Sequence, residues 1–138
     1  MGTRQYHVGK FAKLLGVTTY TVRYYEQEGL LQFNKVNNQR IYDDQDVLWF
    51  QFLQHLKGAG FSLAEMKQYV KLRVQGDSTI AQRETLLREK QAELKKEIKQ
   101  KQTHLAVVKD KINFYQLKQT KNYNGDFATF RQHEKKSE

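Results

Sequence analysis

Apolar positions in the first third of the chain recur at helical spacing in two short runs. Val8, Ala12, Leu15 and Val17 form the first, Val22, Tyr25 and Leu30 the second, and Gly16 interrupts them. The pattern predicts a helix, a turn and a second helix. Thr18 is the N-cap of that second helix and Gly29 its left-handed terminator, which gives it about ten residues. The helical period lapses from Leu31 to Tyr42. There Val36-Asn37-Asn38-Gln39 supplies a turn whose asparagines tolerate positive φ, so a small hairpin is expected. Asp43, with Asp46 at the N3 position, starts a third helix with an apolar stripe of Val47, Phe50, Leu53 and Leu56, ending before Gly58-Ala59-Gly60. Ser62 with Glu65 reads as a capping box and Phe61 with Met66 as the accompanying hydrophobic staple. They predict a fourth helix from Leu63 to about Val74, closed by Gly76.

After Asp77-Ser78 the helical pattern runs for about forty residues, or roughly 60 Å at the usual rise. Spacings of four and three pick out Leu87, Gln91, Leu94, Ile98, Lys101, Leu105, Val108, Ile112, Tyr115 and Gln119, and all but Gln91, Lys101 and Gln119 are apolar. Polar residues within a seam lower its stability but also fix register and strand orientation. The expected structure is therefore a self-paired, antiparallel coiled coil, and the expected assembly a homodimer. The last stretch carries a turn at Asn124-Gly125, the aromatics Tyr123, Phe127 and Phe130, and a charged end that either docks or stays free.

Composition supports this helical picture and limits the chemistry. The chain has 138 residues and no proline, so long uninterrupted helices are permitted in the Leu-, Lys-, Gln-, Glu- and Ala-rich second half. It has no cysteine, which excludes disulfides, thiolate metal ligation and thiol redox sensing. With no apolar signal run and no membrane-length apolar stretch, the expected compartment is the cytoplasm, with no membrane partner. Lys and Arg total 24 against 15 Asp and Glu, a net charge of +9 that favours a polyanionic partner. The excess is not uniform. Arg4, Lys10, Lys13, Arg23, Lys35 and Arg40 face only Glu26 and Glu28 across residues 4–40, while residues 41–75 are balanced.

If Val22 and Tyr25 face the core, Tyr20, Arg23, Tyr24 and Gln27 share the opposite face of the second helix. In a helix-turn-helix that helix enters the major groove, which places Thr19, Tyr20 and Arg23 for base readout and Tyr24 for phosphate contact. Arg23 would either take guanine bidentately or set register on a phosphate; a surface ion pair with Glu26 is the bland alternative. Tyr25 reads as core. Arg40 and Tyr42 share one face of the hairpin strand and could grip the DNA backbone. No clustered nucleophile, acid–base pair or phosphate-cradling glycine loop is present, so neither an enzyme nor a bound cofactor is expected.

The runs Val8-Gly9-Lys10-Phe11-Ala12-Lys13, Gly16-Val17-Thr18, Thr21-Val22-Arg23-Tyr24-Tyr25-Glu26, Gly29-Leu30-Leu31, Arg40-Ile41-Tyr42 and Gly60-Phe61-Ser62-Leu63-Ala64-Glu65 together resemble the MerR family of bacterial transcription regulators. The resemblance covers residues 6 to about 75. It implies a mainly α fold: a winged helix-turn-helix DNA-binding domain over residues 1–76, a dimerisation helix over 77–119 and a tail over 120–138. It also implies recognition-helix contacts at Thr19, Tyr20, Arg23 and Tyr24, first-wing contacts at Arg40 and Tyr42, and a second-wing contact at Lys57. The implied partners are double-stranded promoter DNA, a second copy of the chain and RNA polymerase holoenzyme. Family members bend and untwist an overlong promoter spacer, a deformation that costs several kcal/mol. Two positions depart from the family pattern: Phe33 stands where proline is usual, and Asn38-Gln39 replaces a frequent Gly-Tyr.

Metal and redox sensors of this family use cysteines near the end of the long helix, which this chain lacks. His104 and His133 are the only histidines beyond the first half, too few and too far apart for a metal site. Lys111-Ile112-Asn113-Phe114-Tyr115 resembles the corresponding segment of the aldehyde-responsive members, and no large effector domain is expected after the coiled coil. A small-molecule effector would find its pocket among Phe114, Tyr115, Tyr123, Phe127 and Phe130; the alternative is that these rings only pack the helix end. An architectural DNA-bending protein without a ligand is the competing function.

Overall fold

The computed structural model describes residues 4–121 and 123–136. In chain order the elements are β1 (Gln5–Tyr6), α1 (Val8–Leu15), α2 (Thr19–Gln27), β2 (Asn34–Val36), β3 (Gln39–Asp43), α3 (Asp44–Gly58), α4 (Leu63–Val74), a 3-10 turn (Asp77–Thr79), α5 (Ile80–Lys121) and α6 (Phe127–Lys136). Two compact units result, one up to Gln91 and one from Ala92 onward.

The first unit follows its local signals closely. Gly16 ends α1 in the left-handed conformation at φ 69°, and the Thr18 hydroxyl accepts from the Thr21 amide at 3.1 Å to start α2. Asn37 and Asn38, at φ 51° and 65°, form the two-residue turn of the β2–β3 hairpin, whose register pairs Lys35 with Arg40 and Val36 with Gln39. The strand β1, which the pattern did not predict, adds to the far edge of β3 and pairs Tyr6 with Tyr42, giving the order β1-β3-β2. Both capping boxes form: Asp43 with Asp46 on α3, and Ser62 with Glu65 on α4.

The core gathers one face of each element. Phe11, Val22, Leu30, Tyr42, Phe50 and Leu53 are closed to solvent. Phe11 stacks on Tyr42 at 4.2 Å between centroids, and Phe50 stacks on Tyr25 at 4.6 Å while meeting Phe11 edge-on. These contacts lock α1, α2, β3 and α3 together. Backbone ends are tied in as well, since the Trp49 indole donates to the Leu30 carbonyl at 2.9 Å and the Gln54 amide to the Leu15 carbonyl at 3.2 Å.

This unit reaches past residue 76 because the first turns of α5 pack on it. Leu86 and Leu87 lie against the core. The buried Thr79 hydroxyl meets the Leu72 and Gly76 carbonyls at 2.5 and 2.8 Å, and Arg83 donates to both Thr79 and the Gly76 carbonyl at 3.1 Å. Farther along, Lys90 pairs with Glu65 at 3.3 Å. The rise from α4 into α5 is thus held by polar contacts at two levels.

In the second unit the tail folds back as a helix. Asp126 caps α6 by accepting the Thr129 amide at 2.8 Å, and Arg131 pairs with Asp110 at 3.0 Å. Phe114 is buried under Tyr123, Phe127 and Phe130, with Lys111 Nζ 4.2 Å from the Phe127 ring centre. On α5 the seam residues Ile98, Leu105, Val108, Ile112 and Tyr115 are each more than half exposed. Apolar side chains left in water at coiled-coil spacing are a surface that a second helix would cover.

Candidate nucleic-acid interface

The site begins with the division of α2 into two faces. Val22 and Tyr25 turn inward and are buried; Thr19, Tyr20, Arg23, Tyr24 and Gln27 turn outward. Tyr20, 78% exposed, stands almost free of the surface, whereas Tyr24, 38% exposed, leans edge-on toward Tyr25. The first turn of α2 carries no acidic side chain, so nothing there opposes an approaching anion.

Arg23 makes no ion pair among the described residues. The carboxylate that could have neutralised it, Glu26, is occupied elsewhere. Its side chain is 4% exposed, accepts the Tyr42 hydroxyl through Oε1 and meets Arg40 Nε at 2.9 Å through Oε2. Those last two atoms are shut off from solvent and have no hydrogen-bond partner among the described residues, so each is the other's neutraliser. Burial, followed by the Glu26 hydrogen bond, pushes the Tyr42 phenol far above its ordinary range, and the hydroxyl stays protonated as a donor.

This arrangement alters one expected contact. Tyr42 and Arg40 do share a face of β3, but that face turns toward α2, and Tyr42 is completely buried on Phe11. A phenol at the centre of the aromatic core does not reach a duplex from this position; its work is to anchor the wing strand. Arg40 keeps about a third of its side chain exposed and borders an open groove of roughly 380 Å³ with Arg23, Glu26, Gln27 and Phe33. Lys57 lies in the last turn of α3, exposed, and lines a small hollow beside Tyr24 and Phe61. Six of the seven anticipated residues therefore retain exposed surface, and Arg23 and Arg40 are brought to one groove.

In place of the surface ion pair with Arg23 that the sequence offered, Glu26 is buried against Arg40 and Tyr42 of β3. Its spacing was the available signal, since positions 22, 25 and 26 fall on one side of a helix and a carboxylate among them must find a buried partner. No group of three or more His, Asp or Glu among the described residues is placed to hold a metal ion. The C-terminal aromatics pack ring against ring around Phe114.

Residues 6–72 match the model of the MerR HTH family regulatory proteins, and residues 47–113 match the family's MerR, DNA binding model. An HTH-type transcriptional regulator of Haemophilus influenzae is 33% identical over 114 residues, covering 80% of this chain and 84% of that protein. The chain belongs to the MerR family of DNA-binding transcription regulators. Among solved MerR structures, that of HiNmlR, described as a family regulator lacking the sensor domain and bound to promoter DNA, aligns with a TM-score of 0.77. Identity there is 30%, with 86% of this chain and 96% of that one covered. A MerR family regulator from Listeria monocytogenes aligns at 0.76 with 28% identity, covering 80% of this chain and 86% of that one. The regulator AdhR of Bacillus subtilis is 32% identical over 90 residues, or 64% of each chain. Among the described residues of this MerR protein, no helix is long and apolar enough to cross a membrane.

Proposed function

We propose that the protein binds a pseudo-palindromic promoter in the cytoplasm as a homodimer and distorts the spacer between the two elements that RNA polymerase holoenzyme reads. The observation that carries this reading is the outward face of α2, where Thr19, Tyr20, Arg23 and Tyr24 stand free of the core beside the exposed edge of Arg40. A capped helix whose polar face carries a guanidinium with no ion-pair partner among the described residues is built to enter a major groove, and the wing beside it to meet the flanking backbone. Lys57 extends the cationic surface at the second wing. Residues 1–76 supply this head, 77–119 the dimerisation helix through the exposed Ile98-to-Tyr115 seam, and 120–138 the tail.

HiNmlR, which aligns over most of its length, is described as lacking a sensor domain and as bound to promoter DNA, and that supports the same reading here. Footprinting on DNA upstream of the gene and its neighbours tests it. Protection of two half-sites related by a twofold axis, with an enhanced cleavage site between them, is the expected pattern; uniform weak protection contradicts it.

A second reading, a DNA-bending protein that works without a ligand, draws support from the C-terminal aromatics. Phe114, Tyr123, Phe127 and Phe130 close on one another. Promoter-linked transcription across a panel of small molecules separates the two readings, since a switchable regulator responds to one compound and an architectural protein to none.

A further inference from the structure

Phe33 belongs to none of the contacts above, yet it is placed against one of them. It lies just before β2, about a third exposed, and the Arg40 guanidinium sits 4.4 Å from its ring centre. Lys35 Nζ lies 6.0 Å from the same ring. On another side Glu26 holds Arg40 Nε at 2.9 Å. A planar cation with an aromatic ring beneath it and a carboxylate on its Nε edge has lost most of its freedom before any ligand arrives. A guanidinium carries five N–H donors, and the Glu26 carboxylate faces only its Nε edge, so the two Nη groups remain for an acceptor. Arg23 borders the same groove, and its charge works against the rise of the Tyr42 phenol. Two guanidiniums facing one carboxylate leave the groove cationic.

We propose that Phe33 is a positioning residue for DNA binding: with Glu26 it holds the Arg40 guanidinium in the orientation that donates to one backbone phosphate at the mouth of the groove shared with Arg23. This rests on the DNA-binding reading and deepens it by assigning a task to a side chain that departs from the family pattern. An arginine left unrestrained would have to be ordered on binding, and the preformed stack removes that cost.

The test uses the full chain and a labelled duplex that the wild-type protein selects from a random-sequence pool, titrated by fluorescence anisotropy over a range of salt. Phe33→Leu is expected to weaken binding by about two- to fivefold, the range of an exposed cation–π contact, and Phe33→Tyr to restore it. Adding Phe33→Leu to Arg40→Ala should cause no further loss, because both act through one contact. A readout independent of folding comes from methylphosphonate substitution. Among the phosphates whose neutralisation weakens the wild type, the one at the wing should be silent in Arg40→Ala and cost less in Phe33→Leu, while the others keep their full effect. Wild-type affinity for Phe33→Leu, or losses that simply add, overturns the proposal. So does an Arg40→Ala variant with unchanged affinity and salt slope, although the DNA reading then survives on the effect of Arg23→Ala. An unaffected Arg23→Ala alongside it brings down the DNA reading itself.

Discussion

Glu26 decides what the residues around it can do. By engaging Arg40 and Tyr42 of β3 it leaves Arg23, one turn earlier on α2, without an ion-pair partner among the described residues. Arg23→Ala should therefore weaken specific DNA binding by about 1–3 kcal/mol, read by anisotropy, while leaving the melting temperature almost unchanged. Tyr42 gives the opposite pattern. Tyr42→Phe keeps the stack on Phe11 but removes a buried hydrogen bond to a carboxylate, so it should lower stability by about 1–3 kcal/mol in urea unfolding. DNA affinity of the folded protein should stay at the wild-type level; a large loss would return Tyr42 to the interface. Arg23, Tyr20 and Tyr24 could be placed from the sequence because helical periodicity assigns their face. Tyr42 could not, because alternation along a strand says which residues share a face but not which way that face turns. The answer lay in a contact with α2 sixteen residues away.

At the scale of elements, what could be read in advance was local. Thr18, Asp43 and Ser62 cap the helices they were expected to cap, and the Asn37-Asn38 turn forms as its chemistry requires, because each signal acts within a few residues. The strand β1 escaped notice because two residues carry no period and exist as a strand only through pairing with β3. The docking of α6 was left open for a related reason: its partners, Phe114 and Asp110, lie on another helix. The α4 capping box supplies a pH test. The Ser62 amide first, and Lys90 with it, hold the Glu65 carboxyl below its ordinary value of 4.5. The ionised form is thus favoured by folding, and its contribution is complete above about pH 4.5 and disappears as the pH falls through the lower folded-state value. The melting temperatures of wild type and Glu65→Gln should differ at neutral pH and converge in acid. A constant gap down to the lowest pH would show that the charge on Glu65 contributes nothing. Thr18→Ala should cost about 1 kcal/mol of stability, measured by chemical denaturation, through the lost cap of α2.

For the whole molecule, the decisive feature is a helix of 42 residues that leaves Ile98, Leu105, Val108, Ile112 and Tyr115 in water when one chain is considered alone. The heptad-like spacing made that seam legible, and the spread of basic residues over the first forty positions pointed to the head as its functional partner. Leu105, 67% exposed in the single chain, is the sharpest probe of pairing. Leu105→Lys should leave the helical circular dichroism of the head intact while shifting sedimentation toward the monomer; an unchanged dimer would place the interface elsewhere. The most direct test of the account is the stoichiometry and symmetry of binding together. Full-length protein should be titrated by sedimentation velocity against its selected duplex and against the same duplex with one half-site scrambled. A homodimer that reads two half-sites puts two chains on the intact duplex and loses affinity steeply when either half is scrambled. One chain per duplex, bound equally well to both, would contradict it.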